Sequence, residues 1–185
     1  MQPFFYLLAD VFAILCLGRC LLHKIRAGQY PLAQFCKRFT ERPLRLLRRH
    51  EPAAGRWDVV CVAAAFLFYY FIFIANVLIG WYQGWTWNSI WLGAGLVFSL
   101  LNIIKAAIYV LLIGLVIRMV ASIRNPYDPL VAALHKIYQP LLKPFAFMRV
   151  GRYDFSATPL VLALWLLLNS VLPQLFGRLG LWLLQ

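Results

Sequence analysis

Residues 31–60 read PLAQFCKRFTERPLRLLRRHEPAAGRWDVV, and residues 129–156 read PLVAALHKIYQPLLKPFAFMRVGRYDFS. Each stretch opens on Pro-Leu, returns to Pro-Leu at 43 or 140, and closes on Gly-Arg-aromatic-Asp ahead of a long apolar run. The correspondence extends upstream to Arg19 and Arg118. From Arg19/Arg118 through Pro31/Pro129 and Pro43/Pro140 to Arg56/Arg152 the offset falls 99, 98, 97, 96. Four anchors in one order, between matching apolar runs, mark an internal duplication. Each copy is a span, a basic Pro-bounded segment, the GRWD or GRYD tag, and a second span. Because each copy crosses the bilayer twice, the two share one orientation. This is a parallel repeat, whose pseudo-two-fold axis would run along the membrane normal.

Composition agrees with that reading. The 185 residues are 63% hydrophobic, 16% aromatic and only 13% charged, with a mean hydropathy of +0.76. Soluble domains carry about 25% charged residues, so the chain falls in the polytopic membrane class. Net charge is +12. In so apolar a chain those cations suit anionic lipid, and no nucleic-acid partner is expected. Cys16, Cys20, Cys36 and Cys61 form no CxxC and read as small buried residues rather than a disulfide framework. The amino terminus lacks a basic n-region, so residues 3–22 read as a retained first span and not as a signal peptide.

A helix needs about 20 apolar residues to cross a hydrocarbon core of about 30 Å. Four runs qualify, at 4–22, 57–81, 100–122 and 155–176. The weakly polar run 88–123 is too long for one upright span, and Gly93 and Gly95 suggest a weak point. An interfacial helix over 87–98 followed by a span from about residue 100 is expected, with one long tilted helix as the alternative. The expected division is therefore 1–82 for the first repeat, 83–99 for an outer-face connection and interfacial helix, and 100–185 for the second repeat. From Arg19 to Arg56 there are ten Lys/Arg and two acids, and from Arg118 to Arg152 six and one. The uncharged YQGWTWN connection (82–88) carries two Trp. The positive-inside rule then puts both basic segments in the cytoplasm, and both termini outside a bacterial inner membrane.

Within the basic segments, Leu32, Phe35, Cys36, Phe39 and Leu46 share a helical stripe, as do Leu130, Ala133, Leu134, Ile137 and Leu141. Pro31 and Pro129 suit a first helical turn, and Pro43 and Pro140 should end or kink the helix. Lys37, Arg38, Arg42, Arg45, Lys136 and Lys143 are the candidate lipid-binding residues. Each is worth about 1 kcal/mol near an anionic leaflet. Asp58 and Asp154 fall where the chain re-enters the bilayer and read as helix caps, the other reading being a carboxylate pair that handles protons or cations. Asp10 and Lys105 lie inside apolar runs, at heights about 6 Å apart when the repeats are aligned. They read as an intramembrane charge pair, or as two side chains that each snorkel to the outer interface.

His23, His50 and His135 all lie in the basic segments, without CxxCH or HExxH, and read as interface histidines. Asn76, Asn102 and Asn169 are single polar residues in spans, suited to joining helices. No Ser/His/Asp order, phosphate loop or acidic metal cluster appears. No catalytic residue, cofactor or metal is expected.

The paired pattern of Arg, Pro-Leu, PLRLLRR or PLLKPF, and GRWD or GRYD before a span resembles the YggT/YlmG family of small bacterial and plastid membrane proteins. The likeness covers nearly the whole chain, although Tyr30-Pro31 and Asp128-Pro129 stand where the family usually has Asn-Pro. It implies an all-α integral membrane fold with four transmembrane helices in two repeats. The family is linked with osmotic tolerance, with the neighbourhood of cell-division genes and, in plastids, with haem attachment to a b-type cytochrome and nucleoid distribution. It supplies no catalytic residues. The reading that follows is a non-enzymatic scaffold or assembly factor that grips anionic lipid, with a second copy or another membrane protein as partner. A transport component active as an oligomer is the alternative, and a haem-handling assembly protein a third.

Overall fold

The computed structural model describes residues 2–24, 34, 36, 38–40, 59–84, 90–124, 129–143, 149–150, 153–154 and 157–184. Four of its helices are long and apolar enough to cross a membrane. Helix α1 is Gln2–Lys24, α2 is Val59–Tyr82, α3 is Ile90–Arg124 and α4 is Pro129–Leu142. A short antiparallel ladder of β1 (Arg149–Val150) and β2 (Tyr153–Asp154) follows, then α5 (Ala157–Leu166), a π-helical turn at Leu167–Val171, and α6 (Leu172–Leu184). The class is all-α, as the resemblance implies.

Local chemistry explains most of the boundaries. Pro3 occupies the first turn of α1 and Pro129 the start of α4, where a missing N–H costs nothing. Helix α2 stops at Gly84, whose φ of 94° only glycine adopts freely, with Gly84 N–H donating to Trp81 O at 3.0 Å. Helix α3 ends at Arg124, two residues before Pro126. Pro140 lies within the last turn of α4, which runs two residues past it. The π turn ends two residues before Pro173, and Leu172 N–H reaches back to Leu167 O. Widening the coil there makes room for a ring that would otherwise meet the carbonyl four residues earlier.

Residues 90–124 correct one expectation. In place of an interfacial helix and a separate span there is one unbroken 35-residue helix, about 52 Å long at 1.5 Å per residue. Gly95 is not a weak point but a close-packing site. A Cβ there would lie 2.6 Å from Phe73 Cδ1, so the bare backbone makes room for a ring of α2. Phe73 in turn stacks on Phe98 at 5.8 Å between centroids.

The chain forms two compact units, 1–107 with 175–185, and 108–174. In the first, Ala9, Ala13 and Cys16 of α1 pack with Cys61, Ala64, Ala65, Tyr69 and Ile72 of α2 and with Ala106 of α3. Lipid tails are as apolar as leucine, so close backbone approach between small residues holds such helices together. Phe98 also stacks on Phe176 at 5.9 Å. In the second unit, Leu115 and Tyr138 are fully buried.

Candidate functional site

Three helices of the first unit meet at Asp10. Its Oδ2 accepts from Lys105 Nζ at 2.7 Å, and its Oδ1 accepts from the Tyr69 hydroxyl at 2.7 Å. Asp10 comes from α1, Tyr69 from α2 and Lys105 from α3, so one carboxylate ties together three apolar helices. Tyr69 is 1% exposed, whereas Asp10 and Lys105 keep 21% and 27% of their side chains accessible. In hydrocarbon an ion pair strengthens as the dielectric falls, and a partnerless charge is correspondingly costly. Tyr69 had no polar signature in the sequence, because one Tyr among so many aromatics in an apolar run carries no mark of its partner.

A second arrangement occurs in both units. Arg19, at the end of α1, is 9% exposed and donates from Nη1 to Thr40 Oγ1 at 3.0 Å. Thr40 in turn donates to Cys36 O at 2.7 Å, so its hydroxyl is used as both donor and acceptor. Arg118, 6% exposed near the end of α3, lies 2.8 Å from His135 Nδ1 through its Nη2. Each repeat thus buries an arginine at the foot of its first span and hydrogen-bonds it to the basic segment. In the second unit Tyr138 completes the contact. Its hydroxyl donates to Leu111 O at 3.1 Å and lies over Gly114, where a Cβ would overlap it. The sequence marked Arg19 and Arg118 as repeat anchors, but it did not reveal what they hold.

These surroundings shape acidity outside the spans. Burial pushes the Cys36 thiol up, against smaller downward pulls from its backbone hydrogen bond and Arg19, so the nucleophilic thiolate is disfavoured. Burial also pushes the Tyr138 phenol up to about 12, only partly offset by Arg118.

Of the lipid-binding candidates, Arg38 and Lys143 are exposed and Lys136 lies in α4, while Lys37, Arg42 and Arg45 lie outside the described residues. Along α4, Leu134, Tyr138 and Leu142 are buried and Gln139 is exposed, so the helix has one inward face. Asp58 also lies outside the described residues. The cap expected at Asp154 is corrected. Asp154 pairs with Arg149 in the β-ladder, and α5 begins only at Ala157. The ladder pairs residues 149–150 with 153–154, so Asp154 lies in a strand three residues ahead of the first residue of α5.

Asn76, Asn102 and Asn169 each donate to the carbonyl four residues earlier, at 2.8, 2.9 and 3.0 Å, so their amides are largely spent within their own helices. Asn76 additionally meets the Tyr6 side chain of α1. None of the four cysteines is in a disulfide. Among the described residues no three His, Cys, Asp or Glu gather as metal ligands.

Comparison with known proteins agrees with the duplicated pattern. The chain is 27% identical over 164 residues to an "Uncharacterized protein in proC 3'region" of Vibrio alginolyticus, covering 85% of each chain. No solved structure matches. The CCB3/YggT family model matches residues 1–82 and again 94–175, one match for each copy of the repeat. With four apolar helices, two matched segments and the buried arginine recurring in each, the chain is a multi-pass membrane protein that belongs to the CCB3/YggT family.

Proposed function

We propose that this protein is a non-enzymatic scaffold of a bacterial inner membrane, whose two basic segments rest on the anionic cytoplasmic leaflet. The observation that carries the reading is the repeated buried arginine. Arg19 holds Thr40 and Arg118 holds His135, so each basic segment is fastened to the foot of a span instead of hanging as a free linker. A fastened segment presents its cations at a set height, where Arg38 and Lys143 are exposed. Each such cation contributes about 1 kcal/mol of attraction to an anionic surface. The transmembrane helices then serve as a platform for a second copy or another membrane protein.

The Asp10 cluster is the feature on which a transport reading would build, since it places charge within the spans. Its carboxylate already accepts from both Lys105 and Tyr69, which suits a structural joint better than a site that must bind and release an ion.

Vesicles of mixed zwitterionic and anionic lipid test the proposal. Spin-labelled anionic lipid should be enriched at the protein boundary. Replacing Lys37, Arg38, Arg42, Arg45, Lys136 and Lys143 with Gln should abolish that enrichment while leaving the fold intact. Cation flux above that of empty vesicles, lost on changing Asp10 or Lys105, would replace the scaffold with a transporter.

A further inference from the structure

We propose that two copies of this chain associate in the bilayer through a polar face of the last span, built from Asn169, Ser170 and Gln174. The span runs Ala157–Gly180, and Asn169 and Ser170 stand halfway along it. Both are exposed, and so is Gln174, about one helical turn beyond Ser170. Leu168 and Leu172 are buried and mark the inward side. Two residues along a helix is about half a turn, so Ser170 and Gln174 lie on the side away from those leucines.

Elsewhere in the spans such groups are covered. Asn76 of α2 is half-buried, and Ser99 and Asn102 of α3 are buried. The last span is also the least covered of the four, with 11% of it buried against 22–28% of the others. A hydroxyl or amide in the middle of the hydrocarbon costs free energy until a neighbouring helix bonds it. Pro173 adds to that demand. It has no N–H to give, so a carbonyl of the preceding turn loses its helical donor at the same depth.

A second copy meets these requirements by symmetry. Hydroxyl and amide side chains both donate and accept, so the face is complementary to itself. Copies of one chain enter the membrane in one orientation. A two-fold axis along the normal then sets Asn169, Ser170 and Gln174 of both copies at equal depth. A foreign span would need matching polar groups placed independently at that level. The inference rests on the platform part of the scaffold reading and leaves the lipid grip aside.

Energy transfer between donor-labelled and acceptor-labelled full-length chains, mixed in vesicles of zwitterionic phospholipid, tests it. Without anionic lipid the grip of the basic segments plays no part. Transfer should exceed that of randomly placed monomers and fall as added lipid dilutes the protein. Asn169→Leu, Ser170→Ala and Gln174→Leu together should move the midpoint of that fall at least about tenfold toward dissociation. Gln174→Leu alone should move it the same way by a smaller factor. All three side chains are exposed, so each copy should keep its fold, read as unchanged hydrogen exchange of residues 2–24. Phe71→Ala, which trims an exposed apolar side chain of α2, should leave the midpoint where it is. Wild-type transfer at the monomer level overturns the proposal and assigns the face to a different membrane protein. Undiminished association of the triple variant, or equal dissociation by Phe71→Ala, overturns it as well. Enrichment of anionic lipid at the protein boundary is measured separately, so failure here leaves the lipid grip standing.

Discussion

Arg19 of α1 and Arg118 of α3 occupy matching places in the two repeats, yet they take different acceptors. With the Pro31–Pro129 offset of 98, Thr40 corresponds to Tyr138, and His135 corresponds to Lys37. The first repeat bonds its arginine at the later of these two positions and the second at the earlier. The freed later position, Tyr138, reaches instead for the backbone at Leu111. What the duplication retains is a buried guanidinium tied to the segment, and several side chains can satisfy it. The Asp10 cluster behaves in the opposite way. At the Arg19–Arg118 offset of 99, Asp10 corresponds to Tyr109 and Lys105 to Tyr6. Neither charge has a charged counterpart, so the ion pair belongs to the joint of one unit and not to the repeat.

The contrast is broken most directly by charge reversal in the unduplicated pair. Lys105→Glu sets two carboxylates together among apolar helices and should cost about 4 kcal/mol. Thermal unfolding in detergent should show the loss, and adding Asp10→Lys should restore most of it. A double variant as unstable as the single would mean that the pair is not coupled.

The duplicated element should respond in parallel. Arg19→Ala and Arg118→Ala each take the arginine donor from its acceptor, the buried Thr40 or the half-buried His135, and should cost about 2 kcal/mol. Each should loosen only its own basic segment in hydrogen exchange. Simultaneous loosening of both segments by one change would show that the repeats are coupled and not independent copies.

Smaller effects sharpen the picture. Tyr69→Phe removes one hydrogen bond to a carboxylate and should cost about 1.5 kcal/mol in the same unfolding measurement. Tyr138→Phe removes a neutral bond to a carbonyl that α3 can still use, and about 1 kcal/mol is expected. Gly114→Ala should do more than Tyr138→Phe to the packing of α4, because a methyl there overlaps the phenol instead of merely losing its bond. The order Gly114→Ala, then Tyr138→Phe, in exchange from residues 129–142 checks that claim.

Much of this site was visible in the chain, and unevenly so. Asp10 and Lys105 stood out because a charge in an apolar run is rare, and the structure places them 2.7 Å apart. Tyr69 did not stand out, because an aromatic in a membrane helix is ordinary until its hydroxyl meets a partner. Thr40 was hidden for the same reason inside a strongly basic segment. Asp154 looks like a helix start in the chain because its tag stands just before an apolar run, while a two-residue ladder leaves no periodic trace.

The amino-acid sequence by itself determined the class of solvent, the number of crossings and the duplication. Those depend on how many apolar residues run together and on where punctuating residues recur, which are one-dimensional properties. Tertiary structure decided that residues 90–124 form a single helix, because Gly95 is occupied by Phe73 rather than left free to bend. It also decided which side chains satisfy Asp10, Arg19 and Arg118. A hydrogen bond in a low-dielectric interior depends on separations of a few tenths of an ångström between residues far apart in the chain, and no local pattern encodes that distance.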